Sequence, residues 1–404
     1  MRILLDIGHP AHVHFFKNTI WNLENKGHEV LITARDKDVS IDLLKDYNIN
    51  HVVVGKISNT KLGLIAEWIK RDYKIYKIAK KFKPDILMGI LNPCAAHASK
   101  ILGKSAIIFN DSEVVSSTAA ITYPFVNVIW TPSNFAKSLG TKQIRFDGYK
   151  EFAYLHPNYF CPNPSIFKKL GINPKDKYVV MRFVAWKAGH DMNQKGFDLE
   201  MKMKYIREIE KYARVFISSE SDLSPELEPY QISLPPSKMH DLISYAQLLI
   251  GDSQTMTTEA AVLGTPAIRC NSFVGENDMS NFKELEHEYG LIFNFSDPEK
   301  ALEKAVELLQ TPGLKEEWKY KRERLLQDKI DVTGFMTWFV ENYPSSFSMM
   351  KRNPDFQSRF KTGSWASVTE SHKQKDGSQI ETDQEDVPTL PELVNNPRTI
   401  PKTV

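Results

Sequence analysis

The feature that most constrains the fold is a regular alternation of short apolar runs with longer, helix-like segments. In the first half of the chain the runs are ILLDI, HEVLITA, HVVVG, DILMGI, SAIIFN and NVIWT. Continuous runs of Val, Ile and Leu are typical of strands that are covered on both faces, as in parallel sheets. The segments between them end at turn residues such as Gly27, Pro84 and Gly103. This alternation predicts a doubly wound α/β domain.

A second series of the same kind follows a proline-rich break. The break, EFAYLHPNYFCPNPS, predicts a linker, and YVVMRFV, ARVFISSE, QLLIGD, PAIRC and LIFNF predict further strands. We expect Rossmann-like domains at residues 1–155 and 165–330, a helix at 331–344, and a disordered tail at 345–404, where apolar periodicity is lost. Because such sheets bind ligands at the carboxyl ends of their strands, we expect the functional loops to face a cleft between the two domains.

The charge balance, the lengths of the apolar runs and the cysteine spacing exclude several classes of protein. The 404 residues include 52 Lys and Arg and 50 Asp and Glu, a formal net charge of +2. This balance excludes a globally basic nucleic-acid binder. No apolar run approaches the roughly 18 residues of a membrane-spanning helix, and the N-terminal apolar stretch is too short for a signal peptide. The widely spaced Cys94, Cys161 and Cys270 are typical of reduced thiols. We therefore expect a cytoplasmic protein.

The first candidate loop follows the first strand and contains three histidines. It reads DIGHPAHVH, in which Gly8 allows a tight turn and Pro10 suits the first turn of a helix. The helix dipole disfavours a charged imidazole, so a histidine here stays neutral and able to accept a proton near pH 7. We predict that His12 or His14 is a general base and that Gly8 and His9 contact a substrate. The alternative is that the histidines bind backbone groups and pack within the loop, and we do not expect a metal site.

The second candidate loop, GDSQTMTTEAA, follows the run QLLI and opens a helix. Ser253 and Thr255 suit the first helical turn, whose backbone N–H groups bind phosphate. Glu259 lies one turn beyond Thr255 on the same helix face, where its carboxylate can accept hydrogen bonds from both hydroxyls of a ribose. The alternative is a helix capped by Asp252 that binds no ligand.

The third candidate loop follows the first strand of the second series. It carries the cations Arg182, Lys187 and His190, which suit a diphosphate, and Trp186, which can stack on a nucleotide base. An ordinary exposed loop is the alternative.

The fourth candidate loop, FNDSE, places two acids at the end of a strand. Asp111 and Glu113 can bind sugar hydroxyls or act as the catalytic base. Capping of the following helix is the alternative use of these carboxylates.

These motifs resemble known families. The stretch GDSQTMTTEAAVLGTPAI resembles the C-terminal domain of GT-B glycosyltransferases and of non-hydrolysing UDP-N-acetylglucosamine 2-epimerases. The stretch GHPAHVHFF resembles a prokaryotic family of the same fold that is catalogued as a domain of unknown function. The resemblance covers about residues 1–340 and implies a nucleotide-diphosphate sugar bound mainly by the second domain. It implies that Ser253, Gln254 and Thr255 meet the diphosphate and that Glu259 meets the ribose.

The function that we expect is a metal-independent, inverting GT-B glycosyltransferase that needs no cofactor. It would transfer a sugar from a nucleotide-sugar donor to a glycan or lipid-linked acceptor. The alternatives are a 2-epimerase, with Asp111, Glu113 and His190 as acids and bases, and a non-catalytic nucleotide-binding protein. GHPAH stands where the epimerases carry GTRPE, and Gln254 and Thr255 replace their glycines; both differences favour the transferase.

One segment, residues 61–83, concentrates basic charge, with eight Lys and Arg against two acids. Lys70, Lys74, Lys77 and Lys81 fall in one helical stripe. A second stripe at helical spacing is apolar and consists of Leu62, Ile65, Ile69, Tyr76 and Ala79. The pattern predicts either a helix docked on the sheet with a solvated basic face or a helix that contacts anionic lipid at the inner face of the membrane.

Overall fold

Two parallel sheets organise the chain in a computed structural model, which describes residues 1–56, 61–184, 197–220, 222–276 and 278–361. The strands of the first sheet are β1 (Arg2–Ile7), β2 (Glu29–Asp36), β3 (His51–Lys56), β4 (Ile86–Ile90), β5 (Ser105–Phe109), β6 (Val128–Pro132) and β7 (Gln143–Phe146). The strands of the second sheet are β8 (Tyr178–Phe183), β9 (Arg214–Ser219), β10 (Leu248–Gly251), β11 (Ala267–Cys270) and β12 (Ile292–Phe295). The strand orders are β3-β2-β1-β4-β5-β6-β7 and β12-β11-β10-β8-β9.

The helices alternate with these strands. In and after the first sheet they are α1 (Pro10–Asn25), α2 (Ser40–Asp46), α3 (Lys61–Phe82), α4 (Pro93–Leu102), α5 (Ser116–Thr122), α6 (Phe152–Leu155) and α7 (Ser165–Leu170). In the second sheet and beyond it they are α8 (Leu199–Ile209), α9 (Met239–Tyr245), α10 (Gln254–Leu263), α11 (Ser280–His287), α12 (Pro298–Gln310), α13 (Leu314–Asp328), α14 (Val332–Glu341) and α15 (Ser345–Arg352). The predicted α/β class with two doubly wound sheets is confirmed. Both sheets belong to one compact unit, Met1–Ser364, and the domain boundaries within it stay a prediction.

Each sheet has one point where the direction of strand addition reverses. In the first sheet β1 lies between β2 and β4, and in the second sheet β8 lies between β9 and β10. Ligands of doubly wound sheets bind outside the carboxyl ends of strands at these switch points. The loops that begin at Gly8 and at Asp252 are therefore the positions that the topology favours for ligands.

A buried carboxylate fixes the first switch point. Asp6, at the end of β1, is fully buried and pairs with the guanidinium of Arg71 from α3. Its carboxylate also accepts hydrogen bonds from Thr33 Oγ1 at 2.7 Å and from Asn92 Nδ2 at 2.5 Å. Asn92 in turn caps α4 by accepting a hydrogen bond from the N–H of Ala95 at 3.0 Å. One carboxylate thus joins β1, β2, α3 and the start of α4.

Glycine is required at the second switch point but not at the first. A Cβ on Gly251 would lie 2.0 Å from the carbonyl oxygen of Arg182 on the neighbouring strand, which no side chain tolerates. A Cβ on Gly8 would meet its nearest atoms at 3.8 Å, and the φ of Gly8 is not in the left-handed region. The turn at Gly8 therefore does not depend on the absence of a side chain.

The predicted linker and tail are wrong in part. The FAYL segment of the predicted linker forms α6, whose side chains are buried beneath α1. Residues 345–361, expected to be disordered, form α15 and a 3-10 turn that packs Phe356 on Trp338 with ring centroids 4.8 Å apart. The apolar side chains in this polar stretch suffice to anchor it. Residues 362–404 lie outside the described part.

The basic helix α3 packs with only part of the predicted apolar stripe. Ile75 and Ala79 are buried against the sheet together with Arg71, whereas Ile69 is 62% exposed. The expected apolar stripe is therefore wrong at Ile69, whereas its members Tyr76 and Ala79 do pack in the core of this domain. The side chains of Leu62 and Ile65 lie outside the described part. Among the helices of the described ranges, none is long and apolar enough to cross a membrane.

The Asp6–Arg71 pair predicts a stability effect. Replacing Asp6 by Asn leaves the buried guanidinium without its counter-charge, which costs about 3–5 kcal/mol of unfolding free energy. The double variant Asp6→Asn/Arg71→Met should regain part of this loss, because no buried charge remains. Urea unfolding of the two variants and the parent chain measures both effects; equal midpoints for Asp6→Asn and the parent would contradict the prediction.

Candidate functional site

The imidazoles at the start of α1 bind backbone N–H groups. His9 is the N-cap residue, and its Nδ1 accepts a hydrogen bond from the N–H of Ala11 at 3.2 Å. His12 Nδ1 accepts one from the N–H of Gly8, also at 3.2 Å. An imidazole nitrogen that accepts a hydrogen bond carries no proton, so the proton of each neutral ring lies on Nε2. Both rings therefore present an Nε2–H donor.

Charge and burial keep these two rings neutral. Burial, followed by the charges of Lys37 and Lys150, lowers the pKa of His9 to about 3. The pKa of His12 is also lowered well below its usual value, mainly by burial and then by its neighbour His9. The expectation of a neutral imidazole agrees with this geometry. A general base at His12 does not, because Nδ1 is already bonded and Nε2 already carries a proton.

His14 lies apart from the other two histidines, in the contact between the two halves. Its ring stacks on Tyr154 at 5.3 Å and meets the edge of His240 at 4.7 Å. Its Nδ1 lies 3.3 Å from the hydroxyl of Tyr47. Burial, and then the nearby His240, lowers the pKa of His14 well below its usual value. The side chain is therefore part of an aromatic contact between the halves.

A lysine and two carboxyl groups meet beside the start of α1. Lys150 Nζ lies 2.7 Å from Asp111 Oδ2 and 3.5 Å from Glu151 Oε1. Glu151 is 4% exposed. Burial raises its pKa to about 7, with Lys150 acting to lower it and Asp111 to raise it. A carboxyl group with this pKa both accepts and donates protons at neutral pH.

This charged cluster opens into a small pocket to which both halves contribute. Asp111, Lys150 and Glu151 line it from the first half, and Asn281 from the second. Glu113 also lines it, but its carboxylate is already bonded. It accepts hydrogen bonds from the N–H of Ser280 at 3.0 Å and from Ser280 Oγ at 2.8 Å. Glu113 therefore fixes the start of α11 against the first half, which leaves it poorly suited to act as a base.

The second half presents the first turn of α10. Ser253 is its N-cap residue, with Oγ accepting from the N–H of Met256 at 3.4 Å. Asp252 instead accepts a hydrogen bond from the N–H of Val184 at 2.8 Å, so the expected alternative of Asp252 as the cap is wrong. Gln254 and Thr255 are half-buried in the first turn, where helix N–H groups have no partner within the helix. This turn retains the chemistry expected of a phosphate site.

Glu259 connects α10 to the first half. Its Oε1 accepts hydrogen bonds from Tyr154 Oη at 2.9 Å and from His240 Nε2 at 3.0 Å. Burial acts to raise the pKa of Glu259, but His240 and the two hydrogen bonds outweigh it and lower that pKa. Glu259 is thus a buried carboxylate, and His240 donates to it. A ribose diol at this position would share the carboxylate with Tyr154 and His240.

The third loop is only partly within the described residues. Arg182 donates hydrogen bonds to Ser218 Oγ at 2.8 Å and to Glu220 Oε1 at 2.5 Å, beside Gly251. Trp186, Lys187 and His190 lie outside the described part of the chain.

Sequence analysis missed the residues that join the two sets of candidates. The charge of Lys150 helps to lower the pKa of both His9 and His12. The charge of Glu259 in turn helps to raise the pKa of Lys150. Lys150 and Glu151 follow β7, a strand that the apolar pattern does not predict. Two adjacent charged residues in the loop after that strand were the signal that could have identified them. No cluster of three or more His, Cys, Asp or Glu suited to a metal occurs in the described ranges.

Comparison with known proteins gives the family. Residues 1–317 match a family described as "Protein of unknown function (DUF354)". The chain belongs to this DUF354 family. An uncharacterised protein from Methanocaldococcus jannaschii is 24% identical over 284 residues, which cover 66% of this chain and 81% of that protein.

Solved structures show the fold of the DUF354 chain. The UDP-GlcNAc 2-epimerase from Methanocaldococcus jannaschii is 17% identical with a TM-score of 0.54, and the match covers 77% of this chain and 94% of the epimerase. Spinosyn forosaminyltransferase SpnP is 14% identical with a TM-score of 0.57, covering 86% and 99%. The glycosyltransferase SsfS6 of Streptomyces sp. SF2575 is 11% identical with a TM-score of 0.54, covering 85% and 100%. The chain therefore has the two-sheet GT-B fold that these proteins share.

The tautomer at the first loop is directly testable. Because the pKa of His9 is about 3 and that of His12 is also far below 6.5, both rings should remain neutral, with the proton on Nε2, from pH 8 down to pH 5. Imidazole ¹⁵N chemical shifts, assigned with His9→Gln and His12→Gln variants, report both properties. A titration of either ring with a midpoint near pH 6.5 would refute the assignment.

Proposed function

We propose that this DUF354 protein is a GT-B glycosyltransferase that transfers a sugar from a nucleotide-diphosphate sugar to a hydroxyl group of a glycan or lipid-linked acceptor. One observation carries the proposal: Lys150 and Glu151 line a pocket to which both halves contribute, and Lys150 interacts electrostatically with His12 at the start of α1 and with Glu259 of α10. Glycosyl transfer needs such a convergence, because a base must act on the acceptor while a second group stabilises the departing diphosphate.

The donor end of the proposed site is the first turn of α10. The N–H groups at Gln254 and Thr255 and the dipole of the helix favour a diphosphate without a metal ion. Arg182 lies at the end of the adjacent strand and adds positive charge. The leaving diphosphate would be stabilised in the same way as it departs.

The acceptor end uses Glu151 as the base. With a pKa of about 7, Glu151 can take the proton of an attacking hydroxyl at neutral pH. The ammonium of Lys150 favours the ionised carboxylate that accepts this proton. His9 and His12 supply Nε2–H donors for sugar hydroxyls. In this proposal Asp111 orients Lys150, and Glu151 replaces the histidines as the candidate for the catalytic base.

The epimerase alternative has less support from the geometry. An epimerase needs acids and bases on both sides of the sugar ring. Of the groups expected for that role, Asp111 is paired with Lys150 and Glu113 is bonded to Ser280, while His190 lies outside the described residues. Product analysis separates the two: an epimerase converts the nucleotide sugar alone, whereas a transferase releases the nucleoside diphosphate.

Donor binding can be tested with a charge placed on α10. Thermal shift of the full chain against UDP-, GDP-, TDP- and CMP-sugars identifies the donor, since a ligand that binds only the native state raises its stability. Thr255→Asp should then weaken binding of that donor about tenfold or more, because like charges about 4 Å apart repel by roughly 1–4 kcal/mol.

The matched control for this variant is Leu199→Asp, which places the same carboxylate in the exposed first turn of α8. An acid in a first helical turn is favourable for folding in both variants. Equal donor affinity for Thr255→Asp and Leu199→Asp would exclude α10 as the diphosphate site.

The base can be tested through the pH profile. The ionised form of Glu151 accepts the proton, so turnover should fall as the pH decreases through about 7. Glu151→Gln should lower turnover by roughly 10²–10⁴-fold, remove this acidic limb and keep donor binding. Nucleoside diphosphate release across pH 5–9 provides the measurement.

Two substitutions of His12 distinguish Glu151 from His12 as the catalytic base. His12→Gln keeps an N–H donor and should retain more turnover than His12→Ala. Equal and complete loss of turnover in both His12 variants, together with an unchanged acidic limb of the pH profile in Glu151→Gln, would identify His12 as the base.

A further inference from the structure

The outer face of α3 combines exposed apolar tips with lysines. Residues of this face recur at helical spacing and are all exposed: Ile69, Lys70, Tyr73, Lys74, Lys77, Lys80 and Lys81. Ile69 is 62% and Tyr73 57% exposed. We refer to these seven residues as the α3 outer face.

The acids of α3 do not neutralise this face. Glu67 is a partner of Arg35, whose Nε lies 3.1 Å from Glu67 Oε1, and Asp72 lies 2.9 Å from His97 Nδ1. Both acids therefore bind groups on the neighbouring strand or helix. The α3 outer face is left with five ammonium groups around two apolar side chains.

The edge strand of the first sheet also exposes apolar side chains. β3 is the outermost strand and contacts α3. Val54 is buried in the same cluster as Ile75 and Ala79 of α3, and an irregularity in the pairing with β2 at this point interrupts the alternation of faces along β3. Val52 is itself 42% exposed. Apolar side chains exposed beside a basic stripe are typical of surfaces that contact membranes.

We propose that the α3 outer face binds the surface of an anionic lipid bilayer. Lysine ammonium groups lie near the lipid phosphates, and the side chains of Ile69 and Tyr73 enter the interface between headgroups and acyl chains. The charge complementarity selects anionic lipid, and the aliphatic Ile69 selects a bilayer over a nucleic acid, which offers it no apolar phase. This binding does not depend on the proposed transferase activity.

A helix of the second half serves as an internal comparison. On α13, Tyr320 is 73% exposed, more than Tyr73. Its exposed neighbours at helical spacing are three acids, Glu316, Glu317 and Glu323, and one base, Arg324. Exposed aromatic area without the basic stripe should not bind anionic lipid.

The test is co-sedimentation of the full chain with vesicles of phosphatidylcholine, with or without phosphatidylglycerol, at low and high salt. The chain should pellet with the anionic vesicles at low salt, and high salt should release it. Replacing one lysine of the face, as in Lys74→Gln, should weaken partitioning about fivefold. Ile69→Ser/Tyr73→Ser should also weaken it, whereas Tyr320→Ser should match the parent.

Three outcomes would overturn the proposal. One is equal pelleting, or none, with both kinds of vesicle. A second is an equal effect of the α3 and Tyr320 variants. A third is salt-sensitive binding to duplex DNA that Lys74→Gln weakens while vesicle binding is absent, which would identify the face as a nucleic-acid surface. Circular dichroism of each variant shows that a lost interaction does not reflect unfolding.

Discussion

The carboxyl edge of the first sheet depends on one buried carboxylate, that of Asp6. A charge in the interior is tolerated only when it is paired and its remaining lone pairs are hydrogen-bonded. Arg71, Thr33 and Asn92 meet this requirement from three different elements, so none of these elements can shift without exposing the charge to an unfavourable environment. The loop that carries the histidines begins two residues later and takes its position from this arrangement.

The contact between the halves uses carboxylates of the kind that would bind a substrate. Glu259 joins α10 to Tyr154 of the first half, and Glu113 joins the first half to Ser280. A ligand that hydrogen-bonds to Glu259 therefore changes an attraction between the halves at the same time as it is bound. If the proposed function holds, ligand recognition and the relative position of the two sheets would share the same side chains.

Local physical chemistry explains which features the sequence predicts. Most of the predicted strands are rich in apolar residues because both of their faces are covered, and the starts of α1 and α10 are marked by residues that cap helices. β7 is missed because it lies at an edge and includes the polar residues Gln143 and Arg145. The cluster of Lys150, Glu151 and Asp111 depends on strand pairing, as the contact of His240 with Glu259 depends on packing, and neither leaves a local pattern. On α3, two apolar stripes have helical spacing, and only the sheet determines that Ile75 and not Ile69 is buried.

The chain passes between the two halves twice. After the second sheet it returns at Lys329, and α14 packs on α1 and α6, where Thr333 Oγ1 donates to the carbonyl of Ala153 at 2.7 Å. Two bodies joined by one covalent tether can rotate about any axis, whereas two separate tethers leave free only the rotation about the line that joins them. Any rotation of one half relative to the other is therefore restricted to the axis through the two crossings. A chain cut at Lys329 would lose that restriction together with α14, which packs in the core of the first half.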